Sequence, residues 1–169
     1  CAALVAKNGQ IIYQKAFGMA NLELNVPMQP DMVFRIGSIT KQFTAVAILQ
    51  LMEQGKLSLQ DDITKFIPDY PTQAYTITIE NLLTHTSGMG EATPAELASA
   101  KTLADLVPIY AKKPAGFAPG AQWRYCQSGI NMLGRVVEVV SKMPLDQFMA
   151  KRIFKPLGMK ATAYGAEGP

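Results

Sequence analysis

Cysteine and histidine are almost missing from this chain. Two cysteines, Cys1 and Cys126, cannot build a disulfide framework. With a single histidine, His85, they also give no zinc site of common spacing. No metal and no cofactor is implied. No apolar run reaches the length of a transmembrane segment; Thr44 to Met52 is a short run of the kind that is buried in a core. Lys and Arg are scattered through a net charge of +3 and form no basic run, which argues against nucleic acid as a partner. No signal peptide is present: the first residues already read as a strand, so an export signal would lie upstream or have been removed. Internal repeats and low-complexity segments are absent. There is no Gly-x-Ser-x-Gly elbow, so a Ser-His-Asp site would have to rely on His85 alone.

What remains is a globular composition. Of 169 residues, 49% are apolar and 17% charged, which suits one domain with a sizeable core. Ala2 to Lys7 and Gln10 to Phe17 flank Asn8-Gly9, the dipeptide best suited to a two-residue type I′ turn, and predict a hairpin. Asn21 to Met32 carries Pro27 and Pro30 and reads as loop. A helix is expected from Ser38 to Gln54, with Gly55 just past its end. Between Ala45 and Leu51 it is apolar on almost every side, as a central helix is. Thr78 caps a short helix, Ile79 to Thr84, and Thr93-Pro94-Ala95-Glu96 is a capping box with proline at the first helical position. Further helices are expected at Leu103 to Lys112, Ser128 to Lys142 and Leu145 to Ile153.

Ser38-Ile39-Thr40-Lys41 carries the chemistry. Residues three apart on a helix share a face, so a hydroxyl and an amine stand together at the mouth of an apolar helix. A serine beside an amine able to release a proton is a nucleophile built without histidine. The same stripe continues through Ala45, Ile48 and Met52, so Lys41 falls on a face that otherwise reads as core. Alone the pair is weak, because chance supplies it easily and a capping serine with a snorkelling lysine looks the same.

Order makes it specific. Phe34 to Lys41, then Leu82-Leu83-Thr84-His85-Thr86-Ser87-Gly88-Met89, then Pro119-Gly120 ahead of Tyr125, then Pro156-Leu157-Gly158-Met159 resemble the serine β-lactamase and penicillin-binding-protein superfamily. The likeness is to its class C branch with esterase and D-peptidase relatives, and it covers essentially the whole chain. It implies an α/β (α+β) fold of the β-lactamase/transpeptidase type. Residues 1–169 would form a single incomplete domain, with a sheet hairpin at 1–18 and a mainly helical subdomain at 19–169, and with the C-terminal strands missing. It implies that Ser38 is acylated, with Lys41 and Tyr125 moving the proton as a coupled pair whose base stays open. The substrate would be a small-molecule amide or ester: a β-lactam, a D-amino-acid peptide or a short-chain ester. Location in the periplasm or outside the cell follows from the likeness only.

Two departures stand out. Gln127 takes the place of the asparagine in the family's Tyr-x-Asn motif. It keeps the amide for binding substrate or orienting Lys41 but sets it one methylene further out. The Lys-Thr-Gly or His-x-Gly strand, which supplies an oxyanion-hole donor, has no match; Lys101-Thr102-Leu103 fails at the glycine. Both favour an alternative, a catalytically silent binding or scaffold protein with the same fold. A lone hairpin needs partners, so self-association or a missing C-terminal portion of the same enzyme is expected to cover it. His85, Ser87, Trp123 and Tyr110 are read as structural, Asp61-Asp62 as a solvated helix start, and Cys126 as a small buried residue with a redox thiol as the other option.

Overall fold

The computed structural model describes residues 1–164. The chain divides into two compact units, Cys1–Gly37 and a second that begins at Ser38.

In the first unit, β1 (Ala2–Lys7) and β2 (Gln10–Ala16) pair antiparallel. Asn8 and Gly9 have φ of 51° and 76°, the two positive values a type I′ turn requires. Beyond the last strand residue, the pairing is extended by Phe17 N–H on the Cys1 carbonyl at 2.8 Å. A second, small hairpin, β3 (Met19–Asn21) with β4 (Val26–Pro27), runs into the segment expected to be loop from Asn21. Proline misled the reading because Pro27 sits at a strand end, where no N–H is needed. Asn21 Oδ1 accepts the Leu24 N–H at 2.7 Å and closes that turn. Leu4, Val5, Ile11, Ile12, Leu22 and Leu24 are exposed.

The second unit is helical. A 3₁₀ turn, Gly37–Ile39, leads into α1 (Thr40–Glu53). Then come α2 (Ile79–Leu83), α3 (Pro94–Ser99), α4 (Leu103–Ala111), α5 (Gln127–Ser141) and α6 (Leu145–Met149), the last running into a π-helical segment, Ala150–Phe154. The capping box at Thr93 is present with both reciprocal bonds, the cap at Thr78 is a box as well, with Asn81, and Thr102 makes a third with Asp105. Asp61 and Asp62 are structural: Asp62 caps the turn Ile63–Lys65 and accepts the Ile77 N–H, while Asp61 pairs with Lys65 at 2.8 Å.

The central helix is α5, not α1. It packs against α1, α2, α4 and α6, and Ile130, Met132, Leu133, Val136 and Val137 are buried. In α1 the buried side is Thr44, Ala47, Ile48 and Leu51, whereas Val46 and Leu49 are about two-fifths exposed. A pattern apolar all round shows that a helix can be central; it does not show which of two such helices is. At Gly134, α5 faces only the tips of two leucines: a Cβ there would lie 2.9 Å from Leu103 Cδ1 and 3.1 Å from Leu145 Cδ2.

Candidate active site

Ser38 lies in the 3₁₀ turn rather than in α1 itself. Side chains three apart in such a turn nearly eclipse one another, so the pairing with Lys41 survives the change. Gly37, at φ 53°, makes the bend that presents Ser38. Ser38 is not a helix cap, because the N-cap of α1 is Ile39 and no side chain caps it. Nor does Lys41 snorkel. It is half-buried, and its Nζ donates to Ser38 Oγ at 3.1 Å and to Gln127 Oε1 at 2.6 Å.

Tyr125 closes the group. Lys41 Nζ stands 4.7 Å from the centre of its ring. The Lys41 amine, and next the Ser38 hydroxyl, hold the Tyr125 phenol below its ordinary value of 10. The four predicted residues, Ser38, Lys41, Tyr125 and Gln127, are therefore together, and all belong to the second unit.

His85 is the support behind them. It sits at φ 61°, in the left-handed region, at the end of α2. Its Nδ1 accepts the Cys126 N–H at 3.2 Å, and its ring stacks at a tilt on Tyr125 with centroids 4.7 Å apart. Burial, and next the Lys41 charge, lower the His85 pKa and favour the neutral ring that this bond needs. The backbone of the same segment holds the incoming loop through Arg124 N–H on His85 O at 3.0 Å, Gly120 N–H on Thr86 O at 2.8 Å and Gly116 N–H on Gly88 O at 2.8 Å. Arg124 adds a bond to Met89 O at 3.3 Å and stacks over Phe117. His-Thr-Ser-Gly thus acts as a rail along which Tyr125 is delivered. Trp123 rests edge-on against His85 but is two-thirds exposed.

Two site residues escape a reading of the sequence. Glu91 bridges the start of α5: one carboxylate oxygen accepts the Gln127 N–H and the other the Ser128 N–H. No local pattern announces a cap supplied from 36 positions away. Asn131 accepts from Gln127 Nε2 at 2.9 Å; its spacing of four from Gln127 on a helix is the signal that could have found it. Cys126 is buried, with Sγ 2.8 Å from Ser128 Oγ, and burial pushes its thiol up. Of the two readings offered for Cys126, that is the inert one.

A family profile described as Beta-lactamase matches residues 1–169. The chain is 32% identical to the esterase EstB of Burkholderia gladioli, over 99% of this chain and 47% of that protein. Among solved structures it resembles the octameric penicillin-binding protein homologue from Pyrococcus abyssi, with a TM-score of 0.87 and 32% identity over 98% of this chain and 40% of that one. It also resembles the D-amino acid amidase from Ochrobactrum anthropi SV3, with a TM-score of 0.85 and 28% identity over 99% of this chain and 47% of that one. The chain spans less than half the length of each of these relatives. The fold is the mixed α/β fold of the β-lactamase and transpeptidase type, here mostly helical with small sheets. With the profile matched from the first residue to the last, the chain belongs to the Beta-lactamase family.

Proposed function

We propose that the protein is a serine hydrolase that works through an acyl-enzyme on Ser38. The observation that carries this reading is the placement of one amine, Lys41 Nζ, 3.1 Å from Ser38 Oγ, 2.6 Å from Gln127 Oε1 and 4.7 Å from the centre of the Tyr125 ring. Because Lys41 donates to Ser38 Oγ, the hydroxyl proton is free to point elsewhere. The acceptor is Tyr125 in its phenolate form, which that amine favours by lowering the phenol. As Ser38 Oγ bonds to the carbonyl carbon, its proton passes to the Tyr125 oxygen. The proton then goes to the leaving nitrogen or oxygen, and the acyl group stays as an ester on Ser38. Water, activated by the same oxygen, releases the acid and restores Ser38. One oxyanion donor is the Ser38 N–H; the second would come from outside the residues described, and such a donor is worth roughly 10²–10³ in rate.

The substrate is a small amide or ester. An esterase and a D-amino acid amidase among the relatives support both leaving groups. The alternative of a silent binding protein leaned on the unmatched Lys-Thr-Gly or His-x-Gly strand and on Gln127. With its carbonyl on Lys41, that residue ceases to argue for inactivity. A Ser-His-Asp reading fares worse, since His85 Nδ1 is taken by the Cys126 N–H. The test is labelling of full-length protein by a fluorescent acyl-phosphonate and by a fluorescent penicillin. Wild type should label with at least one probe and Ser38→Ala with neither; equal labelling of the two sinks the reading.

A further inference from the structure

The amide of Gln127 belongs to a chain of hydrogen bonds whose direction is dictated from one end. Lys41 Nζ can only donate, so the Gln127 atom 2.6 Å from it is the carbonyl oxygen. The Gln127 NH₂ then faces Asn131 Oδ1 at 2.9 Å. That in turn aims the Asn131 NH₂ at the Tyr110 hydroxyl, 2.7 Å away. Tyr110 is 1% exposed and fixed by the core between α4 and α5. The chain therefore runs from a rigid aromatic residue in the core to the amine beside Ser38. Each amide has one orientation that satisfies both neighbours.

We propose that Asn131 and Tyr110 are positioning residues that make Gln127 a working substitute for the shorter asparagine of the Tyr-x-Asn motif. This rests on the reading of Ser38 as an acylated nucleophile. A glutamine has one more rotatable bond than asparagine, and its amide can swing or flip. Asn131 supplies the acceptor that holds the NH₂ away from Lys41, and Tyr110 holds Asn131. Glu91 fixes the backbone end of the same residue through the Gln127 N–H. The side chain is thus gripped at both ends, and its carbonyl stays on Lys41 Nζ.

A packing role alone would predict a loss of stability with no effect tied to Gln127. The test measures acylation of full-length protein by an acyl-phosphonate, with the rate constant and the binding constant separated. Asn131→Leu, similar in size but without polar atoms, should lower the rate constant about tenfold while binding changes less than about twofold, since a displaced catalytic group costs rate more than affinity. Asn131→Asp keeps the acceptor toward Gln127 and should recover most of that rate. In a Gln127→Ala background, Asn131→Leu should cost nothing further. Tyr110→Phe keeps the ring packed, so it remains informative if Asn131→Leu folds poorly; it should slow acylation as well. It should also remove the exchange protection of one Asn131 side-chain amide proton, read by NMR without any reaction. Three results overturn the inference: Asn131→Leu acylating at the wild-type rate, Asn131→Asp falling as far as Asn131→Leu, or an undiminished effect of Asn131→Leu in the Gln127→Ala background. A wild type that never acylates Ser38 overturns the proposed function and this inference together. A wild type that acylates beside an unchanged Asn131→Leu overturns this inference alone.

Discussion

Gly88→Ala is the substitution that most directly tests how Tyr125 is held. Gly88 is buried at φ +71°, and a Cβ built on it would lie 2.0 Å from the backbone oxygen of Phe117. Two penalties follow, and they are of different kinds. The left-handed conformation alone costs a non-glycine residue about 1–3 kcal/mol. The overlap is with a carbonyl rather than with the tip of a flexible side chain, so the Phe117 peptide must move, which adds about 1–3 kcal/mol more. That peptide lies next to Gly116, whose N–H is held by the Gly88 carbonyl at 2.8 Å, so moving it breaks one of the three backbone bonds along the rail. Together about 2–6 kcal/mol is expected, and at 2–4 °C per kcal/mol for a domain of this size the middle of that range lowers Tm by about 10 °C. Displacing Tyr125 by even an ångström should slow acylation about a hundredfold. Thermal melts and acyl-phosphonate labelling, run on the same sample, read both. Gly134→Ala is the control: its Cβ would meet only the ends of Leu103 and Leu145, which can turn aside, and a helix gains about 1 kcal/mol from the change, so stability should shift little. A Gly88→Ala protein with wild-type Tm and wild-type labelling would refute the rail as the element that places Tyr125.

Three further outcomes are expected. The His85 pKa is lowered on folding, so its contribution to stability is present above 6.5 and is lost as pH falls through the folded value; urea midpoints of wild type should drop between pH 7.5 and 5, while His85→Asn, which tolerates positive φ and can still accept from Cys126, should drop less. Iodoacetamide followed by mass spectrometry should modify exposed Cys1 and leave Cys126 intact in the native state, because Cys126 is buried with its thiol raised; equal modification would contradict that burial. Glu96, held at about 2 by Lys113 and the Thr93 N–H, supports α3 above its ordinary 4.5 and loses that support as pH falls through about 2; a carboxyl NMR titration should show it returning toward 4.5 in Lys113→Gln, and an unchanged titration would count against the ion pair seen at 2.8 Å.

Local signals in the sequence were reliable where the physics is local. Asn8-Gly9 marks its turn because two successive positive φ values need those residue types, and Thr78 and Thr93 mark helix starts because the cap and its partner lie three residues apart. Ser38 and Lys41 were legible for the same reason, although the turn between them is 3₁₀ and not α. Gln127 was recognised by its place after Tyr125, and its amide, one methylene further out than an asparagine's, reaches Lys41. The remainder depends on contacts between distant segments. Glu91 on α5, the rail beside the Gly116–Arg124 loop, and the choice of α5 over α1 as the centre are decided by how separate elements meet. Composition and periodicity carry no record of that.

The burial of α5 bears on how this protein can change over generations. Its first turn carries Gln127 and is pinned by Glu91, and its next turns fill the core. A drifting substitution along α5 therefore puts folding and the geometry around Lys41 at risk in a single step, and selection would see both defects as one. The outward side of α1, at Val46 and Leu49, and the exposed positions of α3 carry no such double liability. Variation among close descendants should gather there, while novelty at the reacting centre should come through side chains such as Trp123 that stand beside it in the open.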